Sequence, residues 1–482
     1  MNLTLTLRIL GALLICLAGA LLLPLPFSFF YQDGAWPAFL CSALICLLIG
    51  SLLFHFCKSR KDMSVREGFA IVTFGWGFFA LFGALPYLLS GAIASPVDAI
   101  FETMSGFTTT GSTILTHIEE MPQSLLFWRA LTHWLGGMGI IVLSLAILPM
   151  LGVGGMQLFK AEVPGPTADR LKPRIQDTAT LLWGVYLLLT VVETFLLMLG
   201  GMNFFDAICH AFATLATGGF STRDASVAAF DSAYIDGIIT LFMFLAGVNF
   251  TLHFQALRGK NLKFFYRNEE FRCYLGVTLV ATLCLLLFNW TGGIYQHLGE
   301  NLRYSLFQVT SILTTTGFGT ADYELWPVMT QYILVLLMFI GGCAGSTGGG
   351  IKVARILLLF KHAQVQLFRL IHPRAVRLVK LGNRPVDREV LQAILGFFAL
   401  FVGVFVTASL LMAACGMDLV SGGAAVVACL ANIGPGLGSV GPTDNYAHVP
   451  VIGKGILVFC MLMGRLELFT VLVLFFPSFW RK

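Results

Sequence analysis

The stretch Thr315-Thr316-Gly317-Phe318-Gly319 decides the fold, because related stretches recur three times along the chain. The other copies are Thr109-Thr110-Gly111-Ser112, Thr217-Gly218-Gly219-Phe220-Ser221 and Asn432-Ile433-Gly434-Pro435-Gly436. Their shared glycines, Gly111, Gly219, Gly317 and Gly434, recur at intervals of 108, 98 and 117 residues. This regular recurrence indicates an internal repeat.

A short apolar segment precedes each copy. The four segments are Asp98–Phe107, Phe204–Ala216, Tyr304–Thr314 and Ser421–Ala431. A helix needs about 20 residues to cross the hydrocarbon core of a bilayer, so none of these segments spans it. We interpret each as a re-entrant half-helix that enters from the outer side and ends at a glycine-containing turn.

The composition places the rest of the chain in a membrane. Its 482 residues are 57% hydrophobic and 11% charged, with a mean hydropathy of +0.84, whereas soluble domains carry roughly 25% charged residues. Long apolar runs predict membrane helices near residues 8–30, 36–57, 68–91, 127–150, 178–200, 232–256, 274–292, 327–360, 391–415 and 449–477. The first run resembles a signal peptide, but it exceeds the usual length of about 7–15 apolar residues, so we expect a retained helix.

These segments predict the fold class. We expect an all-α polytopic membrane protein with four pseudo-repeats of helix, re-entrant pore half-helix and helix around one pore, preceded by two N-terminal helices. Each repeat crosses the membrane twice, so all four share one orientation and can surround a common axis. The expected boundaries are 1–62 for the two extra helices, 63–156, 157–258 and 259–362 for the first three repeats, and 363–482 for the fourth.

Basic residues cluster in alternate loops and predict the topology. The clusters lie at residues 58–66, 160–174, 258–272 and 369–388, with Arg481 and Lys482 at the end. Basic loops remain cytoplasmic, so we expect both termini in the cytoplasm and the acidic loops outside. A nucleic-acid partner would require a basic face with interleaved aromatic residues, so we expect none. The eleven scattered cysteines include no C-x-x-C pair, so neither a disulfide framework nor a zinc site is expected.

The four turns suit a cation. Irregular backbone cannot face lipid, because unpaired amides cost several kcal/mol there, but it can line a water-filled path. In potassium filters the carbonyl oxygens of four T-V-G-Y-G loops replace the water around the ion, and residues 315–319 match that pattern closely. A lone turn of this kind is more often a packing contact, but four copies favour a filter. The predicted ion-binding residues are Thr109, Thr110, Gly111, Thr217, Gly218, Gly219, Thr315, Thr316, Gly317, Asn432, Ile433 and Gly434.

A glycine-rich run interrupts the long apolar segment 327–360. Residues Gly341–Gly350 should break a helix, since each glycine costs about 1 kcal/mol relative to alanine. Below the turns, such a loop would sit in the ion path. A phosphate loop is excluded because Ile351 stands where that motif needs lysine, whereas a helix-packing role for the glycines remains open.

Arg465 lies inside the last apolar run, where an arginine costs roughly 2.5–3.5 kcal/mol on insertion scales. A pore-facing guanidinium would oppose cation flow and pair with carbonyls of the glycine-rich run. Snorkelling of the side chain to the interface is the alternative. The sequence offers no intramembrane nucleophile–base pair, so we expect a protein that is not an enzyme.

The turns and their spacing resemble the Trk/Ktr/HKT superfamily of potassium transporters, most closely its TrkH/TrkG-type uptake subunits, over essentially the whole chain. The resemblance implies potassium uptake across a bacterial inner membrane. Potassium is then the ion bound and transported, membrane lipid surrounds the protein, and the chain carries no organic cofactor. Gly111 aligns with the position where glycine accompanies potassium preference and serine accompanies sodium preference.

The resemblance also implies partners and a gate. It implies a homodimer and a cytosolic TrkA-type regulatory subunit that binds NAD(H) or ATP/ADP, and we expect that subunit to dock on residues 361–390. The implied gate comprises Gly345, Ser346, Thr347, Gly348 and Gly349, with Arg465 beside them. A sodium- or proton-coupled potassium carrier is the alternative function. The parallel repeats, and four turns without Asp or Glu, favour the pore.

Overall fold

The computed structural model describes residues 2–57, 64–146, 171–382 and 384–481, and the expected all-α membrane fold is confirmed. The helices, in chain order, are α1 Leu3–Ala20, α2 Leu25–Tyr31, α3 Trp36–Phe56, α4 Val65–Gly83, α5 Leu85–Leu89, α6 Pro96–Phe107, α7 Gln123–Ala146, α8 Leu171–Leu199, α9 Phe204–Leu215, α10 Ala233–Ala246, α11 Phe250–Gly259, α12 Lys263–Arg267, α13 Glu269–Thr291, α14 Leu298–Leu313, α15 Val328–Met338, α16 Val353–Ile371, α17 Arg388–Ala414, α18 Leu419–Leu430, α19 Val451–Arg465, α20 Phe469–Leu472 and α21 Pro477–Trp480. Strands β1 Lys380–Leu381 and β2 Arg384–Pro385 form a small antiparallel hairpin.

Many of these helices are long and apolar enough to cross a membrane. Within the described ranges, six helices meet that criterion, or up to eight if each of two bent pairs counts as one span. The end of the predicted helix 127–150, the boundaries at 62/63 and 156/157, and basic residues 58–61 and 160–170 lie outside the described residues. Several apolar runs therefore form the expected membrane spans, whereas two others differ from the expectation.

Three of the predicted apolar segments are broken helices, and two of them were predicted to be continuous. Segment 232–256 forms α10 and α11, bent by 99°, and segment 449–477 bends by 113° after Arg465. Segment 327–360 forms α15 and α16 with the glycine-rich run between them, as its composition predicts. The first break follows from a cap, since the Asn249 side chain accepts a hydrogen bond from the Thr251 amide at 2.8 Å. At the second bend, Glu467 and Leu468 have φ values of 58° and 48°, which end a helix.

The four half-helices are α6, α9, α14 and α18. Three of them begin at a capping side chain, because Ser95, Asn203 and Asp418 each accept a hydrogen bond from an amide of the first turn. The third half-helix begins at Leu298, earlier than the predicted Tyr304. Its polar first turns are stabilised by Asn301, whose side chain donates to the Leu286 carbonyl of α13 at 2.9 Å, a contact that apolar periodicity does not reveal.

The first two long helices cross at a pair of glycines. A Cβ atom at Gly11 would lie 2.7 Å from the Gly50 carbonyl oxygen, and one at Gly50 would lie 2.8 Å from the Gly11 oxygen. Small residues let two membrane helices approach this closely, and close packing is the main source of their association. The helices α1 and α3 therefore form a tight pair that also packs against α4.

We expect Gly50→Val to destabilise the protein by about 1–3 kcal/mol, because the added side chain overpacks the crossing. The matched control is Gly19→Val, since a Cβ atom at Gly19 has no neighbour within 4 Å. The melting temperature of the purified protein in detergent measures the difference. Equal melting temperatures for the two variants would contradict this account of the crossing.

Candidate functional site

The four glycine-containing turns meet at one place. We call residues 109–111, 217–219, 315–317 and 432–434 turns 1 to 4. A Cβ atom on each shared glycine would overlap or crowd a carbonyl oxygen of another turn. The pairs are Gly111 with Gly218, Gly219 with Thr316, Gly317 with Ile433, and Gly434 with Thr110. The last pair returns to turn 1, so the four turns form a closed ring.

The turns share one backbone conformation. Their first residues, which rarely adopt positive φ, have φ values of 51°, 55°, 60° and 57° at Thr109, Thr217, Thr315 and Asn432. Their glycines have φ values of 81°, 78°, 83° and 101° at Gly111, Gly219, Gly317 and Gly434. The same alternation in four places indicates four equivalent turns, although the sequences of turns 2 and 4 diverge from the others.

The middle residue of each turn directs its amide toward the half-helix. The amide donates a 2.8 Å hydrogen bond to the carbonyl five residues earlier in every case: Thr110 to Ser105, Gly218 to Ala213, Thr316 to Ser311, and Ile433 to Ala428. The carbonyl oxygens of these four middle residues accept no hydrogen bond from the described part of the chain. Buried carbonyls normally have a partner, so this ring can offer its oxygens to a cation.

The ring is the candidate cation site, because its four middle carbonyl oxygens are free to bind an ion. No group of three or more His, Cys, Asp or Glu side chains within the described ranges could hold a metal ion. All twelve predicted ligand residues lie in the four turns, and the structure brings the turns together. Oxygen atoms of the main chain are ligands suited to hard cations.

The glycine-rich run, residues 341–350, lies against the C-terminal ends of three half-helices. We call it the glycine loop. The Gly349 amide donates to the Thr315 hydroxyl at 2.6 Å, and the Thr347 hydroxyl donates to the Leu215 carbonyl at 2.9 Å. A Cβ atom at Gly349 would also overlap the Ala431 carbonyl oxygen. The loop therefore contacts the C-terminal ends of α9, α14 and α18, where the helix dipoles place partial negative charge.

Two hydrogen bonds tie the glycine loop to the break between α10 and α11. The Cys343 amide donates to the Gly247 carbonyl at 2.8 Å, and the Phe250 amide donates to the Gly345 carbonyl at 3.1 Å. The bend after Gly247 thus presents backbone groups that complete the loop. Sequence analysis missed this role of the bend, since its apolar residues are those of a continuous helix.

Arg465 connects the glycine loop to α7. Its guanidinium donates to the Thr347 carbonyl at 2.7 Å and to the Gly136 carbonyl at 3.2 Å. The residue is only 2% exposed, and no carboxylate pairs with it among the described residues. A buried guanidinium without a counter-ion among the described residues therefore lies between the glycine loop and α7, and Glu467 pairs instead with Arg355.

Sequence analysis also missed two charged residues that hold the loop ends. The Glu270 carboxylate accepts from the Ala344 amide at 2.6 Å and from the Ala354 amide at 3.1 Å. Lys352 donates to the Gly348 carbonyl. Their signal in the sequence is weak, because Glu270 lies within the basic cluster at residues 258–272 and Lys352 is a single charge two residues after the glycine-rich run.

These features define a class: a polytopic helical membrane protein with re-entrant turns around a site made of backbone oxygens. The chain belongs to the TrkH family, since the family model described as a cation transport protein matches residues 36–482. The resemblance inferred from the turns is therefore confirmed.

Curated relatives match over almost their whole length. The Trk system potassium uptake protein TrkH of Salmonella typhimurium is 47% identical over 98% of this chain and 99% of the relative. TrkH of Halomonas elongata is 44% identical over 100% of both chains, and TrkG of Escherichia coli is 35% identical over 96% of both. The crystal structure of the potassium transporter TrkH from Vibrio parahaemolyticus superposes with a TM-score of 0.93, at 40% identity and full coverage of both chains.

We expect Gly317→Ala to disrupt the ring, because its Cβ atom would overlap the Ile433 oxygen and its φ of 83° is strained for alanine. Gly319→Ala is the matched control, since its Cβ atom would meet only the Pro442 oxygen at 4.0 Å. Gly317→Ala should lower the melting temperature in detergent, by the equivalent of about 1–3 kcal/mol. If Gly319→Ala destabilises the protein as much, the close approach within the ring is not the cause.

Proposed function

We propose that this chain takes up potassium across the bacterial inner membrane through a channel-like pore, with turns 1 to 4 as its selectivity filter. The observation that carries this proposal is the closed ring of glycine-to-carbonyl approaches among the turns. Four sets of main-chain oxygens around one axis can replace the hydration shell of a potassium ion. The names of the relatives, which describe potassium uptake proteins, support the choice of ion.

The half-helices add an electrostatic contribution to this filter. Each of them ends at a turn, so the partial negative charge of its C-terminus points toward the proposed ion path. The twelve filter residues contain no ionised side chain, which suits a pore through which the ion must leave as readily as it enters. Gly111 in the first turn favours potassium over sodium, by the resemblance described above.

We further propose that Gly345–Gly349 and Arg465 form an intramembrane gate. The loop lies at the inner ends of three half-helices, and the Arg465 guanidinium holds the Thr347 carbonyl at 2.7 Å. A positive charge at this place repels a cation that leaves the filter. Opening then requires the loop to move away from the path, with its hydrogen bonds to Gly247 and Phe250 exchanged or broken.

The assembly and regulation of the protein complete the proposal. We infer four pore repeats with the boundaries given above, cytoplasmic termini and a homodimer. We also infer a cytosolic TrkA-type subunit that binds NAD(H) or ATP/ADP. Residues 361–390 are the proposed docking region, since they carry several basic residues and include the exposed Leu367, Leu370 and Ile371 at the end of α16. The designation of the relatives as parts of a Trk system agrees with a multi-subunit assembly.

Rubidium uptake tests the proposed pore. We expect purified protein in potassium-loaded liposomes to take up ⁸⁶Rb⁺ rapidly, and external potassium to block this uptake more strongly than sodium does. The physical reason is that filter oxygens spaced for a dehydrated potassium ion fit rubidium better than sodium. Protein-free liposomes are the control. Saturable uptake that requires a proton or sodium gradient would favour the coupled carrier instead.

Removal of the proposed gate should raise basal uptake. Arg465→Ala deletes the buried charge, so we expect ⁸⁶Rb⁺ flux to rise several-fold. Deletion of Gly345–Gly349 should also raise ⁸⁶Rb⁺ flux. Arg258→Ala, at an exposed arginine of α11, is the matched control. Unchanged flux in a folded Arg465→Ala protein would overturn the gating role of this residue.

A further inference from the structure

A stack of buried side chains lies behind turn 2. The Phe220 ring, directly after that turn, is enclosed between two residues of α7. On one side the Arg129 guanidinium carbon lies 3.5 Å from the ring centroid, and on the other the His133 ring lies 4.0 Å away at an interplanar angle of 17°. Arg129 and His133 are four positions apart and so project from the same helix face. All three residues are at most 3% exposed.

The outer end of this stack is fixed by a buried ion pair. Arg129 Nε donates to the Glu102 carboxylate at 2.6 Å, and Arg129 NH1 donates to the Ser221 carbonyl at 2.8 Å. Glu102 also accepts from the Thr113 hydroxyl and the Ile114 amide, both at 3.0 Å. A buried ion pair with its remaining hydrogen bonds satisfied specifies one geometry. This pair connects the segments that follow turns 1 and 2.

The inner end of the stack contacts turn 2 itself. A Cβ atom at Gly218 would overlap the His133 ring, and the ring supplies its three nearest atoms. The backbone does not require glycine here, since Gly218 is not among the residues with positive φ. The corresponding positions in the other turns carry side chains, at Thr110, Thr316 and Ile433. Glycine at position 218 is therefore explained by the imidazole that occupies the space of a side chain.

We propose that Glu102, Arg129, Phe220 and His133 form a column of positioning residues that fixes the Gly218 carbonyl against Gly111 and thereby sets the exclusion of sodium. This inference rests on the proposed filter function of the turns. It adds selectivity determinants outside the filter, because none of the four side chains belongs to a turn. A Cβ atom at Gly111 would overlap the Gly218 oxygen, so a shift of Gly218 changes the ring at that glycine.

The other half-helices use different side chains at the position of Glu102. His210 of α9 lies 2.9 Å from the Ser221 hydroxyl, and Gln308 of α14 donates to the Ala321 carbonyl at 3.2 Å. In α18 the residue that corresponds to Glu102 is Ala425, which has no polar side chain. Turn 4 is supported instead by the Tyr446 hydroxyl, which donates to the Gly434 carbonyl at 2.7 Å. Each turn is thus supported differently, and the stacked column belongs to the junction of turns 1 and 2.

The column is tested by making the side chain at position 133 smaller and the side chain at position 218 larger, separately and together. The variants are His133→Ala, Gly218→Ala and the double variant, each reconstituted in liposomes and assayed for ⁸⁶Rb⁺ and ²²Na⁺ uptake. His133→Ala should raise the sodium-to-rubidium flux ratio roughly tenfold, because loss of the imidazole beside Gly218 lets the Gly218 carbonyl move within the ring. Gly218→Ala should lose most rubidium flux, since its methyl group meets the imidazole. The double variant should recover flux, because the smaller residue at 133 leaves room for that methyl group.

Controls separate positioning from folding. His55→Ala, at an exposed histidine, and Gly403→Ala, whose Cβ atom has no neighbour within 4 Å, should leave both fluxes unchanged. Arg129→Lys keeps the charge beside Glu102 but loses the planar stack on Phe220, so it should raise the flux ratio in protein that still folds, as judged by a cooperative melting transition. This variant tests the column even if His133→Ala does not fold.

Three results would be decisive. A raised ratio in folded His133→Ala or Arg129→Lys, with recovery in the double variant, supports the column. An unchanged ratio in both folded variants, or a double variant no better than Gly218→Ala, overturns the column and leaves the filter proposal intact. Equal sodium and rubidium uptake by the unmodified protein overturns the proposed function and this inference with it.

Discussion

The close approach of glycines to carbonyl oxygens among the four turns is the contact on which the rest of the structure depends. Any side chain at Gly111, Gly219 or Gly317 would overlap an oxygen of a neighbouring turn, and the positive φ of these glycines would strain it as well. The ring can therefore close only with glycine at these positions. Closure in turn requires the C-terminal ends of the four half-helices to meet, because each half-helix leads directly into one turn.

Polar contacts join each half-helix unit to the next and complete the ring. Arg129 donates to the Ser221 carbonyl between the first and second units. The remaining junctions are the Arg303–Asp236 pair at 2.6 Å, the Gly438 amide on Glu324 at 2.5 Å, and the Lys454–Asp98 pair at 2.6 Å. Their chemistry differs at every junction, although the backbone of the turns is nearly the same. Different side chains at the four junctions thus serve the same geometry of the turns.

The sequence was sufficient to predict the turns, because glycine at positive φ after a half-helix leaves a visible and repeated pattern. It also predicted that Arg465 would pair with carbonyls of the glycine loop, since a buried arginine without a nearby acid needs such partners. It did not predict the bends at Asn249 and Glu467, because their apolar neighbours are typical of continuous helices. Nor did it explain Gly218, since the imidazole of His133 that excludes a side chain there belongs to another helix.

The three helix breaks meet at the glycine loop, and their polar groups form hydrogen bonds with one another there. The loop itself is the break between α15 and α16, and it hydrogen-bonds to Gly247 and Phe250 at the break between α10 and α11. Arg465, at the break after α19, donates to Thr347 of the same loop. A broken helix exposes backbone groups that membrane lipid cannot satisfy, so three breaks placed together satisfy one another. Because the loop is bonded to both of the other breaks, a shift of the loop must exchange its hydrogen bonds with Gly247, Phe250 and Arg465. The C-terminal ends of α11 and α16 are therefore the places from which the proposed regulatory subunit would act on the loop most directly.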